Sequence, residues 1–198
     1  AARNAVATAT ADEDADADAD ADVDADAASA VAIADVDDAT ARTYVDAARA
    51  LLEAKRPLLW AGAGVLFAGA TDELRSLAEL TGTPVFCTMP GKSAIDERHP
   101  LALGAGSGAT TGPAHQWLQS CDLLMALGSS LTRSPYGQRI RPDLFLIQNT
   151  NNPDDIGKDE AVDIGLVGDT KLTLLALIDE VKGRIGSNRA QRGGVENE

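Results

Sequence analysis

The sequence lacks the features that stabilise small secreted proteins or hold chains in membranes. Its 198 residues include two cysteines, Cys87 and Cys121, too few for a disulfide framework or a cysteine-based zinc site. No apolar run approaches the roughly 18 residues of a membrane span, and no basic segment precedes an apolar one as in a secretion signal. These absences predict a cytoplasmic chain with two free thiols, long enough for one domain with a core.

Basic residues are also scarce, and the excess acid is concentrated at one end. The net charge is −14, of which residues 1–43 contribute −10 through 12 acidic residues against Arg3 and Arg42. Residues 11–27 nearly alternate alanine with aspartate, so like charges repel and no large side chain can be buried. We therefore expect a disordered acidic tail over 1–43, either a solvated linker or an arm that binds basic partners. The absence of a basic surface argues against nucleic-acid binding.

Beyond the tail, apolar runs of strand length alternate with segments of helical periodicity. This pattern is typical of an α/β domain with a doubly wound, mostly parallel sheet of five or six strands and helices on both faces, a Rossmann-like fold. We expect the domain to begin near Tyr44 and to span 44–182, followed by a polar linker over 183–198. The predicted strands are 57–61, 84–88, 122–127, 143–148 and 163–167, the predicted helices are 44–54, 71–81, 113–120 and 169–181, and 89–111 is predicted as a loop.

Glycine-rich loops follow several of these strands, at the end of the sheet where α/β proteins bind ligands. Gly62-Ala63-Gly64 is half of a dinucleotide-binding fingerprint, because Phe67 stands where the third glycine would fall. Gly91-Lys92-Ser93 resembles the end of a P-loop, but Phe86 replaces the glycine that such a loop requires. Nucleotide binding and a tight structural turn both remain open at these loops.

Groups that could perform chemistry are few. His99 and His115 are the only histidines, and neither has a metal-binding spacing. The sequence contains no Gly-x-Ser-x-Gly elbow for a serine nucleophile, and buried cysteines are usually inert. We therefore predict no catalytic and no metal-binding residue in this chain.

Several short motifs nevertheless occur in one order. Together they resemble the central domain of thiamine diphosphate (ThDP) enzymes of the acetolactate synthase and benzoylformate decarboxylase type, over residues 44–182. The motifs that carry the resemblance are the segments 54–65, with Gly62-Ala63-Gly64, then Thr83-Pro84-Val85, Gly91-Lys92-Ser93, His99-Pro100-Leu101-Ala102-Leu103-Gly104, the segment 121–128, the turn 149–158, and 163–169.

The resemblance implies part of a larger enzyme. In this family one domain supplies the glutamate that activates the thiamine ring, and another binds the diphosphate through Mg²⁺ with a Gly-Asp-Gly motif. Here Gly168-Asp169-Thr170 lacks the second glycine. The chain would then be the structural central domain of a 2-oxo-acid carboligase or decarboxylase, a lyase or transferase. It would be inactive alone and would not itself bind ThDP or Mg²⁺. Its partners would be the other domains, in a homodimer or homotetramer.

Some members of the family also hold FAD in this domain, and the alternative hypothesis is a stand-alone module that binds FAD or ADP. Two segments depart from the flavin pattern, since 104–108 lacks the family's Met and His and 148–151 lacks its Asp-x-Asp. By resemblance, the candidate cofactor-binding residues are Gly62, Gly64, Thr88, Gly91, Lys92, Gly104, Gly128, Ser129, Arg133 and Asn149.

Overall fold

The computed structural model describes residues 37–185 in full and, before them, the backbone of one strand at 5–9. Its strands are β1 (Ala5–Ala9), β2 (Pro57–Ala61), β3 (Val85–Thr88), β4 (Ala102–Gly106), β5 (Leu123–Leu127), β6 (Phe145–Thr150) and β7 (Ile164–Gly168). Its helices are α1 (Asp38–Glu53), α2 (Ala63–Phe67), α3 (Thr71–Thr81), α4 (Gly112–Ser120) and α5 (Thr170–Ile185), with a 3₁₀ turn at Pro153–Asp155.

All seven strands form one parallel sheet in the order β1-β7-β6-β5-β2-β3-β4. Six of them lie between residues 57 and 168, and helices cover both faces, which confirms the predicted doubly wound α/β fold. The central strands β2, β5 and β7 are buried at every position. Continuous apolar runs are what a parallel sheet covered on both faces requires.

Two strands were not among the predicted ones. β4 lies inside the segment 89–111, which is predicted as a loop. Its sequence Ala-Leu-Gly-Ala-Gly has only one large apolar side chain, so it lacks the apolar run that predicts a strand. β1 pairs with β7 at the sheet edge, with Ala5 opposite Ile164 and Ala9 opposite Gly168, inside the predicted tail. Main-chain hydrogen bonds need no bulky side chains, so neither strand has the pattern that identifies a strand from sequence.

Helix ends follow local capping. α1 begins at Asp38, six residues before Tyr44, because the Asp37 carboxylate accepts a hydrogen bond from the Thr40 amide at 2.8 Å. That bond lowers the pKa of Asp37. α3 ends at Gly82, whose left-handed backbone at φ 63° fits the predicted glycine stop. α2 occupies part of the predicted turn at 62–64.

The two faces of the sheet carry two separate apolar clusters. The larger, which we call the helix-side cluster, lies beneath α1, α3 and α5 and includes Leu59, Met125 and Ile147. The smaller cluster, which we call the cleft-side cluster, lies beneath α4 and includes Leu58, Trp60 and Leu146. Because side chains alternate along a strand, neighbours such as Leu58 and Leu59 belong to different clusters.

The predicted end of the domain at residue 182 falls within a helix, because α5 continues to Ile185. Most of the predicted tail and linker, residues 10–36 and 186–198, lies outside the described residues. None of the described helices is long and apolar enough to cross a membrane.

Candidate functional site

A cleft of about 980 Å³ opens where β2, β3, β4 and β5 end. From β2 the chain continues outward through β3 to β4, whereas from β5 it continues the other way through β6 to β7. The loops that leave β2 and β5 therefore diverge, and the space between them is a topological switch point. Open α/β sheets bind their ligands at such points, outside the carboxyl ends of the strands.

Glycines allow the loops after β2 and β5 to touch. The Gly62 amide donates to the Leu127 carbonyl at 2.9 Å, and the Gly64 amide donates to the Gly128 carbonyl at 2.9 Å. A Cβ added to Gly64 would lie 2.6 Å from the Gly128 Cα, a distance that side chains do not tolerate. Gly128 also has a φ of 58°, which favours glycine. These glycines fix the rear wall of the cleft by close backbone packing.

The opposite wall is an irregular segment, residues 129–142, which we call the strap. Several hydrogen bonds attach the strap to the rest of the domain. The Arg133 amide donates to Asp159 Oδ2 at 2.8 Å, and the Gly108 amide donates to the Tyr136 carbonyl. Near its end, the Arg141 guanidinium donates to the Gln119 and Cys121 carbonyls, both at 2.6 Å. The cleft therefore has one rigid wall of packed backbone and one wall held by separate hydrogen bonds.

The charge of the cleft differs from that of the chain. Arg133 and Arg139 both line it, and Glu160 is the one acidic residue among its lining. The Glu160 carboxylate accepts two hydrogen bonds from the Arg133 guanidinium, at 2.9 and 3.1 Å, and this pairing raises the pKa of Arg133. The lining therefore carries one more positive than negative charge, in a chain whose net charge is −14.

The remaining polar side chains of the cleft are mainly hydroxyls, together with the amide of Gln138, and they can donate and accept hydrogen bonds. The cysteines are buried elsewhere, and burial raises the pKa of each thiol to about 11. His99 pairs with Glu79 at 3.0 Å and lies outside the cleft lining. The hydroxyl side chains in the lining are Thr88, Ser107, Ser129, Ser130, Thr132, Ser134 and Tyr136.

The structure brings together half of the predicted cofactor-binding residues. Gly64 and Gly91 lie behind the cleft wall, where an added Cβ on Gly91 would collide with the Ala61 carbonyl. Lys92 lies at the surface, with its Nζ 2.6 Å from Glu97 Oε1, and Gly104 lies within β4. The predicted residues that line the cleft are Gly62, Thr88, Gly128, Ser129 and Arg133.

Asn149 faces away from the cleft and is fully buried on the helix side of the sheet. Its Oδ1 accepts a hydrogen bond from the Gly128 amide at 3.1 Å. Its Nδ2 donates to the Leu166 carbonyl at 3.2 Å and to Thr173 Oγ1 at 3.1 Å. Asn149 thus connects the rear wall of the cleft to β7 and α5.

Sequence reasoning missed the apolar part of the cleft. Trp60 lines it from β2, and Met89 and Tyr136 line it while remaining 54% and 80% exposed. Trp60 was interpreted only as part of a buried strand, and no motif marks Met89 or Tyr136. Exposed large apolar side chains beside a concavity are typical of a binding site, but only the folded arrangement places them there.

The acidic, histidine and cysteine side chains of the described residues do not gather into a metal site. The described residues contain no group of three or more His, Cys, Asp or Glu side chains that could hold a metal ion. The Gly168-Asp169-Thr170 segment has a different role, because Asp169 Oδ1 accepts hydrogen bonds from the Lys171 amide at 2.8 Å and the Leu172 amide at 3.0 Å. Asp169 therefore caps α5, as an aspartate at a helix start commonly does.

A family model described as thiamine pyrophosphate enzyme, central domain, matches residues 45–177. These residues include every described strand except β1. The match covers well over half of the chain, and it confirms the resemblance found in the sequence motifs.

Similar proteins agree with this match. The chain is 38% identical to an acetolactate synthase of Mycobacterium leprae over 111 residues, which are 55% of this chain and 18% of that protein. It is 36% identical to the acetolactate synthase large subunit of Corynebacterium glutamicum over 115 residues, 57% and 18% of the two chains. The structure of benzoylformate decarboxylase from Polynucleobacter necessarius has the same fold, with a TM-score of 0.61 at 24% identity, over 71% of this chain and 27% of that one. The chain spans about a fifth of the length of the curated relatives it matches.

Proposed function

The chain belongs to the family of thiamine pyrophosphate enzyme central domains, and from this premise we propose that it is the structural central domain of a ThDP-dependent 2-oxo-acid carboligase or decarboxylase. The observation that carries the proposal is the family match over 45–177 together with the length of the chain, which spans about a fifth of the curated relatives it matches. The catalytic glutamate and the diphosphate and Mg²⁺ site would belong to other domains. Those domains, in a homodimer or homotetramer, are its proposed partners, and the unpaired cysteines support a cytoplasmic location.

An activity assay tests this proposal. The 198-residue chain and the product of the complete reading frame that encodes it are each supplied with ThDP, Mg²⁺ and pyruvate or benzoylformate. We expect consumption of a 2-oxo acid by the complete product and none by the chain alone. Turnover by the chain alone would show that its own residues suffice for catalysis. A complete product with no ThDP-dependent turnover would overturn the assignment to this class of reaction.

A second candidate function is binding of FAD or ADP in the cleft, and the observation that favours it is the cleft's chemistry. A volume of about 980 Å³ is at the upper end of ordinary ligand sites. Arg133 and Arg139 would neutralise phosphates, and Met89 and Tyr136 would cover an aromatic ring. The proposed contacts among the predicted residues are Gly62, Thr88, Gly128, Ser129 and Arg133, whereas Gly64, Gly91 and Asn149 would shape the wall behind them.

Calorimetric titration of the chain with FAD and with ADP tests this second candidate. We expect saturable binding that weakens as salt is added, because charge–charge attraction is screened by ions. Arg133→Gln should weaken binding, while Arg98→Gln, a change at an exposed arginine outside the cleft lining, should not. No binding at millimolar nucleotide would exclude the module hypothesis and leave the structural role untouched.

A further inference from the structure

The two tryptophans of the chain differ in the state of the indole N–H. Trp117, on α4, donates its Nε1 hydrogen to the Pro57 carbonyl at 3.1 Å. Trp60, on β2, is 6% exposed, and its Nε1 is buried with no hydrogen-bond partner among the described residues. Buried donors in native proteins are almost always paired, so an unpaired one requires an explanation.

Trp60 lies where a ligand would go. It lines the cleft together with its neighbours Gly62 and Ala63. Its ring packs against Phe86, with centroids 5.0 Å apart and the planes at 54°. The indole is therefore held in place by the cleft-side cluster, and its one polar atom has no use within the described structure.

A second irregularity occurs in the same cleft. Leu131, in the strap, has a φ of 51°, a left-handed backbone conformation that is costly because Cβ approaches the following carbonyl oxygen. Leu131 is 8% exposed, lines the cleft and belongs to the same cleft-side cluster as Trp60. Backbone strain of this kind is concentrated at ligand clamps and switch regions of proteins.

We propose that Trp60 is the specificity-determining donor of the cleft: when the strap shifts at Leu131, its indole N–H donates to an acceptor oxygen or nitrogen on the bound nucleotide. This inference rests on the second candidate function above. The shift is required because the nitrogen is covered in the conformation described. Relief of the strain at Leu131 and a hydrogen bond from the Trp60 indole N–H would both favour the bound state. A ligand that places a methyl or amino group at this point would bind more weakly, because it would gain no hydrogen bond from Trp60.

The two tryptophans offer a matched pair of variants. Trp60→Phe and Trp117→Phe each remove one indole N–H and the same part of the ring, and Trp117 lies outside the cleft lining, so its variant controls for the loss of an indole as such. FAD and ADP are titrated into each full-length variant by calorimetry. We expect Trp60→Phe to weaken the nucleotide that binds by about tenfold, and Trp117→Phe to change its Kd by less than about threefold. In urea unfolding we expect Trp117→Phe to lower the midpoint more than Trp60→Phe, because only Trp117 loses a hydrogen bond.

A measurement on the unmodified chain guards against variants that fold poorly. In ¹⁵N-labelled protein each tryptophan gives one indole N–H resonance, assigned from the two variants. Nucleotide should move the Trp60 resonance downfield and leave that of Trp117 in place. Nucleotide binding with equal affinity to Trp60→Phe and an unmoved Trp60 resonance would overturn this inference while leaving the cleft as a nucleotide site. Absence of any binding would overturn both.

Discussion

The helix side and the cleft side of the sheet are formed by the same strands, but helices cover the helix side more fully. On the helix side, α1, α3 and α5 cover one large apolar cluster, and even the polar Asn149 is fully buried and paired. On the cleft side, α4 covers a smaller cluster, and the strap closes the remainder through separate hydrogen bonds. The buried, unpaired Trp60 Nε1 and the left-handed Leu131 both lie on this second side, whereas on the helix side Glu73 Oε2 in α3 is a buried acceptor with no partner among the described residues. The comparison indicates that one face secures the fold and the other keeps room for a ligand.

The largest expected effect comes from two adjacent leucines of β2. Leu59 faces the helix side and Leu58 the cleft side, and both are fully buried. Leu59→Ala should cost about 4 kcal/mol of unfolding free energy, near the upper end for such changes, because packed helices cannot close the cavity. Leu58→Ala should cost about 2–3 kcal/mol, because the strap can relax toward the space. Urea unfolding measures both, and equal losses would contradict the difference in rigidity between the faces.

Two adjacent amides of β6 give the next effect. Asn149 faces the helix side, whereas Gln148 faces the cleft side and donates to the Ser129 and Asp155 carbonyls, both at 3.1 Å. Asn149→Leu should cost about 3 kcal/mol, because it leaves the Gly128 amide and a buried carbonyl unpaired. Gln148→Met should cost about 1–2 kcal/mol, since loop carbonyls can turn toward water. Thermal unfolding at constant pH tests the order of the two, and a reversed order would refute it.

The two faces should lose stability alike at alkaline pH, because each contains one buried thiol. Cys87 belongs to the helix-side cluster and Cys121 to the cleft-side cluster, and burial raises the pKa of each from 9 to about 11. The folded state holds these protons more tightly than the unfolded state. Stability is therefore intact below about pH 9 and falls as the pH rises toward 11, on the order of 1 kcal/mol per thiol at pH 10.

Urea midpoints between pH 8 and pH 11 measure this loss. Cys87→Ala and Cys121→Ala should each flatten the profile above pH 9 by a similar amount, after subtraction of the constant cost of the smaller side chain. A profile that is unchanged in both variants would mean that other groups, such as the lysines, cause the alkaline loss.

The smallest expected effect concerns one ion pair on each side. Arg133 pairs with Glu160 at the cleft, and Lys171 pairs with Glu73 on the helix side, with Nζ 3.4 Å from Oε1. Glu160→Gln should change the urea midpoint little, because the Arg133 partner is 69% exposed and solvent screens the pair. It should instead tighten binding of ADP by freeing Arg133. Glu73→Gln should leave ADP binding as it was, and an effect of equal size in both variants would argue against a local role for Glu160.

Strands and helices that are marked by a pattern of side chains close together in sequence could be predicted. β2, β5 and β7 are runs of apolar residues, so their strands and the parallel sheet could be predicted. β1 and β4 could not, because alanine and glycine leave the pairing of distant backbones as the only cause of their structure. The glycines of the cleft wall and, at the start of the strap, Ser129 and Arg133 were predicted from motifs, but Trp60 and the rest of the strap were not. Their place in the cleft depends on contacts between loops that are far apart in sequence.

The edge position of β1 has a consequence for synthesis of the chain. β1 leaves the ribosome before its partner β7, which begins at Ile164, 155 residues after Ala9. At about 5–20 residues per second, β1 waits roughly 8–30 s before β7 is synthesised. During that time β2, β3 and β5 can already associate, because they are closer in sequence. β1 is therefore expected to join the sheet after these strands, and its pairing requires that translation has passed β7.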